Sequence, residues 1–171
     1  DLEALLLAGV NSGRLEATSD AEYAVTNTAI SFISVGTPSQ ANGNLDLSFV
    51  VRVCQDIGSV LRSKDGFHVV VIRSTMLPGS MRDVVIPTLE KISGKKAGAD
   101  FGVCNNPEFL REGTAIYDYY HPPKTVIGEI GTTSGELLVR LYSELGAPLI
   151  RTDIETAEMV KYTDNVWHAV K

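Results

Sequence analysis

The feature that most limits what this chain can fold into is the regular alternation of two hydrophobic periods. Strand-length apolar runs, such as Ala29 to Val35 and Phe67 to Ile72, end in polar or glycine-bearing turns. Each is followed by a stretch whose apolar residues recur at helical spacing. A run that is apolar at every position is buried on both faces, the condition of a parallel sheet covered by helices. The alternation therefore predicts an α/β chain on a mostly parallel sheet. Helices are expected at Leu2 to Val10, Leu47 to Leu61 with Asp46 as cap, Ser80 to Ile92, Ser134 to Leu145 and Glu155 to Lys171, with a short one from Asp20 to Val25. Strands are expected at Arg14 to Thr18, Ala29 to Val35, Phe67 to Ile72, Asp100 to Cys104, Thr125 to Gly128 and Pro148 to Arg151. Asn106 to Tyr120 reads as a loop with a short helix. Pro87 falls inside the third helix, where its ring and missing N–H bend the axis.

Composition narrows the partners. At 171 residues and 44% apolar content, the chain is one domain's worth and can bury a core. A net charge of −6 argues against a nucleic-acid partner, which needs a basic face. It leaves room for a small anion held by a few local cations. No apolar run approaches the roughly 20 residues of a membrane span, and no membrane partner is expected. Asp1-Leu2-Glu3 lacks the basic start of a signal peptide and an initiator Met, so the chain reads as part of a longer protein. Cys54 and Cys104 form neither a disulfide framework nor a metal-binding spacing, so a reducing, cytoplasmic setting without a metal is expected. Cys54 lies on the apolar face of its helix and reads as core, whereas Cys104 ends a strand beside Asn105-Asn106.

Four polar motifs stand where strand patterns end or a helix pattern runs. They are Val35-Gly36-Thr37-Pro38-Ser39, Arg73-Ser74-Thr75, Asn106-Pro107-Glu108-Phe109-Leu110-Arg111-Glu112 and Lys161-Tyr162-Thr163-Asp164-Asn165-Val166-Trp167-His168. Ligands of open α/β sheets bind beyond the carboxyl ends of the strands, so the first three motifs open into one crevice. Gly36 lets a ligand approach the backbone and the Thr37 hydroxyl suits a phosphate or ribose, although the same turn also reads as a plain strand end. The hydroxyls of Ser74 and Thr75 suit a cofactor or a catalytic water, or else cap the next helix. Glu108 and Glu112 are four apart, a spacing that one helical turn would set on one side. A carboxylate beside a reacting carbonyl acts as a general base; the competing reading is a helix start that favours glutamate. Lys161, Asn165 and His168 share a helix face that Glu158 extends by a turn. Lys and Asn together stabilise a developing oxyanion; the competing reading is a solvated face.

At these residues the chain resembles the UDP-glucose/GDP-mannose dehydrogenase family, from about Leu2 to Lys171. Asn165-Val166-Trp167-His168-Ala169, with Asn106 to Glu112, is most similar to its GDP-mannose 6-dehydrogenase branch. The resemblance implies oxidation of the C6 alcohol of a nucleotide sugar, GDP-mannose or UDP-glucose, to a carboxylate. It implies two NAD+ per turnover and an enzyme-bound thioester between the two oxidations. Thr37 and Thr75 would contact NAD, and Glu112 would sit at the nicotinamide and the substrate. Glu108 would be the base for thioester hydrolysis, with Thr75 placing the water. Lys161 would assist alcohol oxidation and, with Asn165, stabilise the oxyanion. Phe109, Leu110 and His168 would complete the substrate contacts with Glu108, Glu112, Lys161 and Asn165. A homodimer paired through the central helix is implied as well.

The family's Gly-x-Gly-x-x-Gly turn and its acidic ribose-binding residue do not occur in the sequence. Its nucleophilic cysteine stands in a Gly-Gly-Ser-Cys loop, and neither Cys54 nor Cys104 has that setting. The expected fold is therefore α/β, a partial Rossmann-like doubly wound parallel sheet lacking its first two strands, followed by the start of a long central helix. Residues 1–152 would be the partial NAD-binding domain and 153–171 the helix. With strand order 3-2-1-4-5-6, the missing strands would lie between the Arg14 and Ala29 strands. The open edge of the Ala29 strand would leave the chain marginally stable or aggregation-prone. Two other readings compete: a non-catalytic nucleotide-sugar-binding or oligomerisation module, and another Rossmann dehydrogenase such as a hydroxyacid dehydrogenase. The last gives no role to Glu108 and Glu112.

Overall fold

Val69-Val70-Val71-Ile72 is β-branched at every position, and such side chains pack well on a pleated surface. In the computed structural model, which describes residues 2–171, they form a strand buried along its whole length. The element order is α1 (Leu2–Asn11), α2 (Ala21–Thr26), β1 (Ile30–Ile33), α3 (Ser48–Leu61), β2 (Val69–Ile72), a π-helical turn (Met81–Val85) running into α4 (Ile86–Ser93), β3 (Gly102–Asn105), α5 (Ala115–Tyr120), β4 (Thr125–Glu129), α6 (Thr132–Tyr142), β5 (Leu149–Thr152) and α7 (Ile154–Val170). The five strands lie in sequence order in one sheet. One core layer joins Val50, Cys54, Ile57 and Leu61 of α3 to Val70, Ile72, Leu89 and Ile154. The other joins Val69, Val71, Cys104 and Ile127 to Leu138 and Tyr142 of α6. Helices on both faces of a mostly parallel sheet are the expected α/β architecture.

Three local expectations need correction. Arg14 to Thr18 forms no strand: these residues are exposed, and Arg14 and Leu15 instead donate to the Gly9 carbonyl at 3.0 and 3.1 Å. A strand is stabilised by its partner, and no sheet element lies beside this segment among the described residues. The second correction concerns direction. β1, β2 and β3 are parallel, but β4 runs antiparallel to β3, and β5 is parallel to β4. After β3 the chain makes its excursion through α5 and re-enters the sheet at β4 without the crossover that a parallel step requires. The third concerns the helix at Pro87. The single helix expected from Ser80 to Ile92 opens with a wider turn: Met81–Val85 is π-helical, with Ile86 N–H donating to the Met81 carbonyl, and the α-helix proper follows from Ile86. A proline removes an i to i−4 bond and its ring crowds the carbonyl one turn back, which the wider turn relieves.

Other boundaries follow the sequence. Asp20 caps α2, its side chain accepting from Tyr23 N–H at 3.0 Å. Asp46 accepts from Ser48 N–H at 2.9 Å one residue ahead of the α3 cap position.

The reversal at β4 positions the site. α7 leaves β5 level with the carboxyl-terminal half of β3, packs against β4 and β3, and runs on to the loop beyond the carboxyl end of β3. Gly128 makes the close approach possible: a Cβ there would stand 2.6 Å from the Ala157 Cβ and 3.0 Å from the Asp153 carbonyl.

Candidate active site

The site begins at the carboxyl ends of β1 and β2. Thr37 Oγ1 donates to the Thr75 carbonyl at 2.7 Å, and Ser74 Oγ donates to the Val35 carbonyl at 2.7 Å. The first two motifs therefore meet side by side, as neighbouring parallel strands require. Nothing lies within 4 Å of where a Gly36 Cβ would stand. An open backbone and adjacent hydroxyls fit the polar sugar and phosphate groups of a dinucleotide. Ser74 acts as a tie to β1 rather than as a cap on the next helix.

Beyond β3, Asn106 is 2% exposed and anchors the third motif from below. Its backbone N–H donates to the Ile72 carbonyl at 2.9 Å and its side-chain amide to the Val126 carbonyl at 2.8 Å. Its Oδ1 accepts from Arg73 at 2.8 Å and from the Tyr142 hydroxyl at 2.7 Å. Arg73 also donates to the Tyr142 oxygen at 2.7 Å. Burial raises the Tyr142 phenol above its ordinary value, with Arg73 acting in the opposite sense. A satisfied buried network of this kind holds its members to one arrangement.

From this anchor the loop carries Glu108 outward. Lys161 of α7, 9% exposed, donates from Nζ to the Glu108 carbonyl at 2.6 Å and stands 3.4 Å from Glu108 Oε1. Glu108 Oε2 accepts from Leu110 N–H at 2.7 Å. The Lys161 ammonium lies 5.4 Å from the Phe109 ring centroid and that of Lys124 lies 4.2 Å from it, both within cation–π range. Lys124 pairs with Asp164 at 3.0 Å, and His168 Nε2 stands 3.7 Å from the other Asp164 oxygen. Phe109, Leu110, Lys124, Lys161, Asn165 and His168 are among the residues that line a cleft of about 460 Å³. That is a size suited to a small-molecule ligand.

The two glutamates do not share a helical turn. Residues 106–111 are irregular and α5 begins only at Ala115, so the four-residue spacing sets no common face. Arg111 instead turns to Asp118, donating from its backbone N–H at 3.0 Å and its guanidinium at 2.7 and 3.1 Å, with Thr114 adding a bond at 2.9 Å. These donors, Arg111 first, hold the Asp118 carboxyl well below the usual carboxylate range. Glu112 is exposed at the loop rim. Asn165 and His168 are exposed on α7, one and two turns beyond Lys161. Glu158 leaves the expected solvent stripe altogether: it is buried and bonds Gly79 and Met81 N–H.

Lys124 and Tyr142 carried no sequence signal, since a lone Lys before a strand and a Tyr at a helix end are ordinary. Cys54 and Cys104 are both 0% exposed, and burial pushes each thiol up to about 12, so neither is an activated nucleophile. Among the described residues, no His/Cys/Asp/Glu group is arranged to hold a metal ion. No helix there is long and apolar enough to cross a membrane.

Comparison with known proteins bears on the same residues. The profile of the UDP-glucose/GDP-mannose dehydrogenase family, NAD binding domain, matches residues 1–146. A GDP-mannose 6-dehydrogenase from Pseudomonas aeruginosa is 58% identical over 170 residues, 99% of this chain and 39% of that protein. The UDP-glucose 6-dehydrogenase AglM of Haloferax volcanii is 37% identical over 163 residues, covering 92% of this chain and 38% of that protein. Among solved structures, a ternary complex of GDP-mannose dehydrogenase from Pseudomonas aeruginosa superposes with a TM-score of 0.97 at 58% identity, over 98% of this chain and 38% of that one. A UDP-glucose dehydrogenase from Pyrobaculum islandicum gives 0.90 at 38% identity, over 97% of this chain and 38% of that one. The chain thus spans about 39% of the length of the curated GDP-mannose 6-dehydrogenases it matches.

Proposed function

This chain belongs to the UDP-glucose/GDP-mannose dehydrogenase family, through its NAD binding domain, and on that footing we propose that it is part of an NAD-dependent nucleotide-sugar 6-dehydrogenase. The proposed substrate is GDP-mannose, oxidised at C6 to the carboxylate in two NAD-linked steps. Identity to GDP-mannose enzymes exceeds that to a UDP-glucose enzyme, 58% against 37%, which favours the mannose nucleotide.

One observation carries the reading. Lys161 and Glu108 are 53 residues apart, yet Lys161 Nζ stands 2.6 Å from the Glu108 carbonyl and 3.4 Å from its carboxylate, beside a cleft beyond the carboxyl end of β3. In the proposed mechanism Thr37 and Thr75 hold the cofactor, and Glu112 borders the nicotinamide and the sugar. NAD+, when bound, supplies the hydride acceptor. Lys161 donates a hydrogen bond to the C6 oxygen as the hydroxyl proton passes to water and, with the Asn165 amide, stabilises the oxyanion that follows. Phe109 and Leu110 pack on the substrate, and His168 contacts the sugar nucleotide. Glu108 takes the proton from a water that Thr75 orients, in the hydrolysis of the thioester. Its carboxylate oxygen Oε1 stands 3.4 Å from the Lys161 ammonium. A cytoplasmic homodimer paired through α7 belongs to the same proposal, supported by exposed Trp167, Val166 and Val170 on that helix.

The test uses the full-length protein and follows NADH formation with GDP-mannose and with UDP-glucose. Turnover of GDP-mannose at least tenfold faster, by kcat/KM of about that ratio, is expected. Lys161→Ala should slow the first oxidation by roughly 10²- to 10³-fold. Glu108→Gln should instead accumulate the covalent intermediate, seen by intact-protein mass. Equal losses in both variants at the first step would overturn the division of roles. Binding of nucleotide sugar without any turnover would favour the non-catalytic module.

A further inference from the structure

Glu158 is a buried carboxylate, 1% exposed, which the proposed chemistry leaves unused. It lies on the face of α7 that also carries Lys161. Its oxygens accept from Gly79 N–H at 2.8 Å and Met81 N–H at 2.9 Å. Those two N–H groups open the helix that follows β2, where backbone donors have no partner within the helix. A local side chain could have satisfied them, but Ser80 Oγ donates to the Leu77 carbonyl at 2.6 Å instead. The partner therefore comes from 79 and 77 residues away. Sinking a carboxylate here is unfavourable in itself: burial raises it above its ordinary value, and the carboxylates of Glu155 and Asp83 add to that.

The segment from Arg73 to Ser80 carries Thr75. Its near end is tied to β1 through Thr37 and Ser74. Its far end is tied to α7 by Glu158. One turn further along α7, Lys161 grips the Glu108 carbonyl at 2.6 Å. A single helical turn thus holds both loops, the one that carries Thr75 and the one that carries Glu108.

We propose that Glu158 is a positioning residue, fastening the Thr75 segment to the helix that carries Lys161. The cofactor-side and sugar-side walls then keep one spacing. The kinetic consequence rests on the dehydrogenase reading; the mechanical one does not.

Two variants of the full-length protein test it. Glu158→Gln keeps the shape but turns an NH₂ toward one of the two donors. Glu158→Asp keeps the charge and shortens the reach. Amide hydrogen exchange is followed at Gly79, Met81 and Leu110, the last bonded to Glu108. In parallel, stopped-flow NADH formation is measured with saturating GDP-mannose. Exchange should rise about tenfold at all three amides. The hydride-transfer rate should fall roughly 10- to 100-fold while the KM for each substrate changes less than about threefold. Exchange that rises at Gly79 and Met81 alone, with the rate unchanged, would make Glu158 an ordinary helix cap and overturn the proposal. A rate lost only in proportion to the folded fraction, read from melting, would overturn it too. If the wild-type protein reduces no NAD+ with either nucleotide sugar, the dehydrogenase reading fails. The exchange at Leu110 then still decides whether the joint exists.

Discussion

The two halves of α7 are made of similar residues and live in different surroundings. In the first half Ile154, Ala157, Glu158 and Lys161 are buried against the sheet and the two loops. In the second, Val166, Trp167 and Val170 are 45%, 63% and 73% exposed. Asp153 starts the buried half with a cap, accepting from Thr156 N–H at 2.7 Å. Glu155 pairs with Arg82 across to the π turn. The charged groups of the buried half have named partners, whereas Asn165 and His168 extend from a half whose one ion pair to another element, among the described residues, is Asp164–Lys124. A catalytic candidate is placed only as well as the backbone beneath it. Lys161 sits at the boundary, fixed by the last buried turn, while Asn165 and His168 depend on what covers the exposed face.

The comparison can be broken most forcefully under the buried half. Gly128→Ala would set a methyl group 2.6 Å from the Ala157 Cβ. It should destabilise this chain by about 1–3 kcal/mol, measured by urea unfolding, because overpacking a rigid contact forces the helix outward. A change under about 0.5 kcal/mol would mean that α7 is not docked as described.

A smaller effect should come from pH. The Glu158 carboxyl is raised above its ordinary 4.5 by burial, so the folded chain binds its proton more tightly than the unfolded chain does. Its contribution is fully present below pH 4.5 and is lost as pH rises through the raised folded value. Unfolding midpoints of wild type and Glu158→Gln, compared across that window, should diverge in slope, with the wild type losing relative stability as pH rises. Parallel slopes would remove burial as the dominant influence on this carboxyl.

The smallest effect belongs to the exposed half. Trp167→Ser should alter the unfolding free energy of this chain by less than about 0.5 kcal/mol. In the full-length protein the same change should weaken self-association, measured by sedimentation. A large loss of stability in the isolated chain would show that the second half is already packed, and the contrast would fall.

Much of the fold was legible because it rests on local periods. The apolar run at Val69–Ile72 has no solvent face, and the α3 apolar spacing through Val50, Cys54, Ile57 and Leu61 became a core layer. The first two site motifs were legible for the same reason: once β1 and β2 are adjacent and parallel, Thr37 and Thr75 have to meet. The Arg14 to Thr18 strand misled because alternating residues show only a capacity for pairing, and pairing needs a neighbour. The Glu108/Glu112 spacing misled because a helical period has meaning only inside a helix, and Pro107 with the Asn106 anchor keeps that segment irregular.

By itself the sequence determined the alternation of elements, the helix starts at Asp20 and Asp153, and the residue types at the strand ends, because each follows from contacts within a few residues. Only the tertiary structure decided which polar residues were to be buried. Glu158, Lys161, Asn165 and His168 share one helical stripe in the sequence, yet the first two are buried among partners and the last two face outward. The reason is geometric. β4 reverses direction, α7 packs against β4 and β3 and runs on to the loop beyond the carboxyl end of β3, and the sheet ends partway along the helix. Below that point a polar side chain has to find the backbone donors and acceptors of distant loops; above it, water is sufficient.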